Sequence, residues 1–314
     1  MQYSEAELIK YSEIDVQSLF RVVWKGKWFI AAITALSITA GVWFALSLPN
    51  VYSSTTLLAK VEDGKSSGFS SLKSELGGFA ALAGVGLNAK GGNNTDLALQ
   101  ILKSRQFVNE FVNKYKLKAV LMATTSWDKD NDKLIFNPDI YDVKSGSWKV
   151  NQQTGKSFEP TVQEVRDYFI GKIIGVEEDN KKGLVTITVT HFSPRVAKEI
   201  SDKLVSEINL NIQNADIEEA VTRIAYLKKA LLETPIADMQ KIFYQLIEQQ
   251  EQKKMLAQTQ NQYVFKVIDP AIEQDKKSGP RRALICIAAA FAGGVFSLFG
   301  VIAFHYLVTN RSRR

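Results

Sequence analysis

Two long uncharged runs interrupt a chain whose apolar and polar positions otherwise alternate on short periods. From Trp28 to Leu48 the sequence WFIAAITALSITAGVWFALSL carries no charge, and at about 1.5 Å rise per residue it covers a hydrocarbon core of roughly 30 Å. Trp24 and Trp28 stand at its start, Trp43 and Phe44 near its far end, and Pro49 with Asn50 stops it. The second run, Ala283 to Leu307, is uncharged apart from His305, whose place near the end suits an interfacial imidazole. Both runs predict transmembrane helices. A cleaved signal peptide is the competing reading of the first, because Ala45 and Ser47 resemble a small-residue cleavage pattern. Against it stand a polar leader containing Glu5, Glu7, Glu13 and Asp15 and an apolar run longer than the usual 7–15 or so.

The sequence between the runs reads as alternating strands and helices. Val51 to Val61 is rich in β-branched and hydroxyl residues and predicts a strand. Asp63 to Asn94 is Gly/Ser-rich around GGFAALAGVGL at Gly77 to Leu87, a segment too short to span a bilayer, which reads either as a surface loop or as an apolar flap. Apolar positions at helical spacing predict a helix over Asp96 to Tyr115 with Thr95 as its N-cap. Thr124 to Pro160 is polar and loop-rich, an excursion carrying Trp127 and Trp148. A short helix over Val162 to Ile173, capped by Thr161, precedes a strand at Leu184 to His191, where Val185, Ile187 and Val189 alternate with threonines.

Ser193 and Pro194 then open a long helix as N-cap and first-turn proline. Its stripe runs through Val196, Ala197, Ile200, Leu204, Ile208 and Ile212 and continues at coiled-coil spacing through Ile217, Val221, Ile224 and Leu231, with Lys228 in the intermediate slot. After Thr234 and Pro235 a second helix presents Ile236, Met239, Phe243, Leu246 and Ile247, and Val264 to Ile268 returns as a strand. A helix of about 40 residues rises roughly 60 Å, so the chain must travel back as far to reach the second run. The predicted fold is therefore a membrane protein of the α+β class: two transmembrane helices flank a periplasmic domain with a membrane-proximal mixed sheet and a long helical hairpin arm. The expected boundaries are a cytoplasmic segment 1–27, a first span 28–48, a periplasmic domain 49–282, a second span 283–307 and a tail 308–314. Within that domain the base takes about 49–193 and 264–272, and the arm about 194–263. Facing stripes on the arm serve either as intramolecular core or as a subunit interface.

Composition narrows the function. The net charge of +6 comes from basic residues spread along the chain and gathered beside the apolar runs, which favours membrane flanks over nucleic acid. Arg21, Lys25, Lys27 and the C-terminal Arg311, Arg313 and Arg314 favour cytoplasmic ends; Lys276, Lys277, Arg281 and Arg282 weigh against that, but a long translocated loop is discounted. Trp24, Trp28, Pro280, Arg281 and Arg282 are the expected membrane-interface residues. The single cysteine, Cys286, lies inside the second run and forms no intramolecular disulfide. Gly64-Lys65-Ser66 and Gly155-Lys156-Ser157 lack the glycine a phosphate loop needs five positions earlier, where Ala59 and Val150 stand. Asp128 to Asp132 opens like a calcium loop, but Lys133 replaces the turn glycine and Asp139 the bidentate glutamate. His191 and His305 have no cysteine or paired carboxylate beside them, so no catalytic, cofactor or metal residue is assigned. In the second run Ala289, Gly293 and Ser297 fall at four-residue intervals and Ala290 pairs with Gly294, a small face on which another helix can pack closely.

In order of elements the sequence resembles the chain length determinant family, the Wzz-type polysaccharide co-polymerases of bacterial inner membranes. The stretches that carry the likeness are IDVQSLFRVVWKGKWFI, VYSSTTLLAKV, ALQILKSRQFVNEFVNKY, LVTITVTHFSPRVAKEISDKLVSEIN and VIDPAIEQDKKSGPRR. The resemblance implies a non-enzymatic homo-oligomer that sets the number of repeats in a surface glycan beside a separate polymerase, contacting that polymerase and the growing glycan. Only Pro270 and Pro280 precede the second span, fewer prolines than the family would suggest, and the 124–160 excursion is not a family feature. No tyrosine-kinase extension follows the second run, which makes an O-antigen glycan of lipopolysaccharide the expected product. A ligand-sensing membrane receptor is the alternative, disfavoured because the expected cytoplasmic ends are too short for an output module. A glycan-modifying enzyme would need a paired-carboxylate site that no stretch suggests.

Overall fold

The computed structural model describes residues 24, 26–61 and 94–311. The Gly77 to Leu87 segment, the Gly64-Lys65-Ser66 triplet, Arg21, Lys25, Arg313 and Arg314 lie outside the described residues, as does the side chain of His305. Chain order gives α1 (Lys27–Ser47), β1 (Tyr52–Lys60), α2 (Asn94–Leu102), α3 (Arg105–Lys114), α4 (Lys118–Met122), β2 (Thr124–Asp128), β3 (Lys133–Phe136), β4 (Tyr141–Asp142) and β5 (Ser147–Trp148). There follow α5 (Val162–Tyr168), a π turn (Phe169–Ile173), β6 (Ile174–Asp179), β7 (Leu184–His191), α6 (Pro194–Glu233), α7 (Ala237–Thr259), β8 (Phe265–Asp269) and α8 (Arg282–Arg311). The described residues divide into two compact units, one holding α1 and α8 and the other Val51–Lys277.

In the second unit β6, β7, β1 and β8 form one sheet in that order, and every neighbouring pair is antiparallel. The expected mixed sheet is thus corrected. β7 and β8 run the same way, but β1 lies between them, so no parallel pair forms. Alternation on β7 puts Val185, Ile187, Val189 and His191 inside and leaves threonines on the other face. There Ser53 Oγ meets Thr190 Oγ1 at 3.0 Å and Thr55 Oγ1 meets Thr188 Oγ1 at 3.4 Å, a hydroxyl ladder across β1 and β7. β6 joins β7 through a turn at Gly183, whose φ of +66° suits glycine. Its sequence IGVEED gave no alternating apolar signal, because an edge strand ending in acids buries only Ile174.

The inner face of the sheet packs on helices. Leu58, Val185, Ile187 and Val189 meet Phe107, Val108, Phe111, Phe169 and the first half of α6, from Val196 to Ile212, in one apolar core. Burying each large side chain contributes roughly 1.5–3 kcal/mol. The helix expected over Asp96 to Tyr115 is two: Ser104 breaks it and caps α3, its Oγ accepting from Phe107 N at 3.2 Å. Thr95 lies inside α2, buried, not in front of it. Thr161 does cap α5, in a reciprocal box with Glu164 that holds the Glu164 carboxyl below its usual range through the Thr161 backbone bond. The excursion contains two small hairpins, β2–β3 and β4–β5, in a stretch where every side chain from Thr125 through Glu164 is at least partly exposed.

Candidate functional site

α6 serves two structures in turn. Up to Ile212 its stripe is sheet core; from Gln213 on it pairs with α7. The antiparallel register is pinned at the base of the pair, where Gln213 Nε2 donates to the carbonyl of Ala257 and to that of Gln260 (3.1 Å). Lys253 Nζ reaches Asp216 Oδ1 at 2.8 Å, and the Tyr263 hydroxyl donates to Asp216 Oδ2 at 2.7 Å. Asn209, 3% exposed, joins the pair to the sheet. Its Oδ1 accepts from Val264 N (2.8 Å) and Phe265 N (2.9 Å), while its Nδ2 donates to Val205 O and Phe265 O, both at 3.1 Å.

The seam above this base runs through Ile217, Ala220, Ile224, Leu227 and Leu231, with Ala220 and Ile224 buried and the others half-buried. Phe243 and Leu246 on α7 are half-buried as well. Val221, Ile236 and Met239, expected on the seam, are instead 50%, 59% and 40% exposed, and Lys228 is exposed too. Steps of four then three from Ile217 pass through Val221 to Ile224; steps of three then four pass through Ala220 to the same residue. The helices take the second path, because alanine at the contact lets two backbones approach. Ile236 falls just before α7 begins, at its N-cap.

The unit of α1 and α8 is built on small residues from both helices. A Cβ on Gly293 would lie 2.5 Å from Ser37 Cβ and 3.5 Å from Thr34 Cα, and one on Gly41 would lie 2.5 Å from Ala289 Cβ. Ser37 Oγ donates to the Ala289 carbonyl at 2.8 Å, and Ser297, 1% exposed, turns its Oγ back onto Gly294 O at 2.8 Å. Gly294 itself has nothing within 4 Å of a built Cβ, so it does not share the close approach of Gly293. Phe291 and Phe299 point outward, 75% and 64% exposed. At the ends of the pair Arg282 Nη2 donates to Leu48 O and to Asn50 Oδ1, both at 3.2 Å, satisfying a carbonyl left open at the end of α1. Pro280 is half-buried, while Arg281, Trp24 and Trp28 are exposed. Ser37 and Gly41 were missed from sequence. The signal was present as small residues at 34, 37, 41 and 45, but diluted by the apolar residues around them.

Elsewhere on the second unit, α3 is tied to α6 by Lys114 Nζ and the Tyr115 hydroxyl, both on Glu207, at 2.7 and 3.0 Å to Oε2. Burial and the Glu207 bond raise the Tyr115 hydroxyl above its ordinary pKa, and the same carboxylate raises Lys114. The excursion is anchored by Asp132, which accepts from Trp127 Nε1 and pairs with Arg195 of α6, at 2.9 and 2.8 Å. Among the described residues no group of three His, Cys, Asp or Glu is placed to hold a metal ion.

Residues 12–115 match the family model described as Wzz, chain length determinant protein. That bears out the resemblance read from the sequence. Among solved structures, a full-length bacterial polysaccharide co-polymerase is similar at 12% identity over 95% of this chain and 99% of its own, with a TM-score of 0.34. A fragment of WzzB, polysaccharide co-polymerase from Salmonella Typhimurium, is similar at 10% identity over 73% of this chain and 100% of its own, with a TM-score of 0.29. At these TM-scores neither superposition carries an argument. No curated protein matches the chain.

Proposed function

We propose, for a chain whose residues 12–115 match the chain length determinant model, that it regulates the length of a surface polysaccharide, of the O-antigen type of lipopolysaccharide. It acts without chemistry of its own, as a membrane-anchored homo-oligomer beside a separate polymerase and the growing glycan. The family match is the observation that carries this reading. It fits the order of elements: α1 and α8, apolar and long enough to cross a membrane, enclose in sequence a unit with a long helical pair. In this reading α1 and α8 cross the bacterial inner membrane, both chain ends are cytoplasmic and Val51–Lys277 is periplasmic. Gel analysis of surface polysaccharide from cells lacking the gene and from complemented cells tests it. Loss of the modal length on deletion and its return on complementation are expected; an unchanged distribution overturns the proposal.

A further inference from the structure

His191 is the one titratable side chain in the buried class among the described residues, at 3% exposure. It closes β7 on the inner face of the sheet, two residues before the N-cap of α6. Its Nε2 lies 3.1 Å from Val120 O, and the Ser193 backbone N–H points at its Nδ1 from 3.2 Å. A carbonyl only accepts and a backbone N–H only donates, so the ring is held as the neutral Nε2–H tautomer, joining α4, β7 and the start of α6. Ser193 in turn caps that helix: its Oγ accepts from Val196 N at 3.4 Å and its carbonyl from Ala197 N at 3.0 Å.

We propose that His191 is an acid-sensitive latch: when its imidazole becomes imidazolium, the first turn of α6 is released from the sheet and from α4. The charged ring sets its Nδ1–H against the Ser193 N–H, two donors facing each other, beside the positive end of a helix. Among the described residues no carboxylate bonds the ring, whose partners are the Val120 carbonyl and the Ser193 N–H. Across the sheet β1 supplies Tyr52 as strand partner. On α4 the charged neighbour Lys118 is occupied by Glu159, and on α6 Arg195 is occupied by Asp132. Burial is the largest influence on the ring and lowers its pKa below the ordinary value, with the Val120 carbonyl opposing. The sign follows from that direction. The latch is intact above the unfolded value of about 6.5, and its contribution is lost as pH falls from there through the lower folded value.

Hydrogen exchange read by mass spectrometry on the full chain in detergent, corrected for intrinsic rates, tests this independently of the glycan reading. Between pH 6.5 and 5, peptides covering 195–204 lose protection progressively, by at most about tenfold per pH unit, the limit for one proton taken up on opening. Amides in the middle of β7, Thr186 to Thr190, hold theirs over the same range and serve as the internal reference. In His191→Asn the Oδ1 accepts from Ser193 N–H without titrating, and the slope at 195–204 disappears. A flat wild-type profile overturns the latch, as does equal loss at the β7 amides, which marks global unfolding, or an unchanged slope in the variant. Should the variant not fold, the wild-type profile against its own β7 amides still decides.

Discussion

Gly293 and Gly294 are neighbours in sequence and opposites in the fold. Any side chain at Gly293 would place its Cβ 2.5 Å from Ser37 Cβ, where no real pair sits, so the helices must part and the Ser37 bond to Ala289 breaks. Nothing stands within 4 Å of the corresponding point on Gly294. Gly293→Leu is therefore expected to lower the apparent melting temperature in detergent by several degrees and, on the proposed function, to disturb glycan length. Gly294→Leu and Phe291→Leu leave both unchanged. Equal effects at the two glycines would show that α1 and α8 do not meet as described. The small face of α8 was readable because Ala289, Gly293 and Ser297 recur every four residues. Its partner was not: a small-residue face tells how closely a helix is approached, not by which one, and α1 shows its own small residues only between bulky ones.

At the scale of elements, the long helix was readable from end to end because Ser193, Pro194 and Thr234 mark its limits and an apolar stripe runs between them. The register of its outer half was not, since Ile217 and Ile224 belong to either of two heptad paths and only packing selects Ala220 over Val221. That selection has an energetic consequence. Ile224 is 6% exposed and Val221 50%, so Ile224→Ala leaves a gap in the seam and costs about 2 kcal/mol or more, while Val221→Ala stays within roughly 0.5 kcal/mol. Limited proteolysis at the corner between α6 and α7, exposed from Pro235 to Ala237, alongside thermal melts, reads the difference: faster cleavage for Ile224→Ala, wild-type rates for Val221→Ala. The reverse order would place Val221 at the contact. β6 and the small hairpins of the excursion escaped the sequence for another reason. β6 turns only Ile174 and Val176 inward and β3 only Leu134 and Phe136, and two apolar positions in a strand of four to six residues are too few for period-two alternation to stand out.

At the scale of the whole chain, every residue of the apolar core among the described residues falls between Leu58 and Phe265, inside the unit Val51–Lys277. Its helices, its four-stranded sheet and the Asn209 and Asp216 networks are likewise complete within those limits. None of these contacts draws on α1 or α8. A chain of this length buries enough of its own surface to fold without disulfides or metals, so removing the two apolar helices leaves the core intact. A fragment of residues 51–277 is therefore expected to be recovered without detergent and to melt in one cooperative step by circular dichroism, with near-ultraviolet signal from its packed aromatic residues. Phe111, Phe169 and Phe265, all fully buried, supply an internal check: Phe111→Ala in the fragment removes about 3–5 kcal/mol and should abolish or sharply lower that transition. A fragment that binds hydrophobic dye, lacks near-ultraviolet signal and melts without a transition is a molten state. It would mean that the sheet and the first half of α6 hold their packing only when the apolar helices are attached.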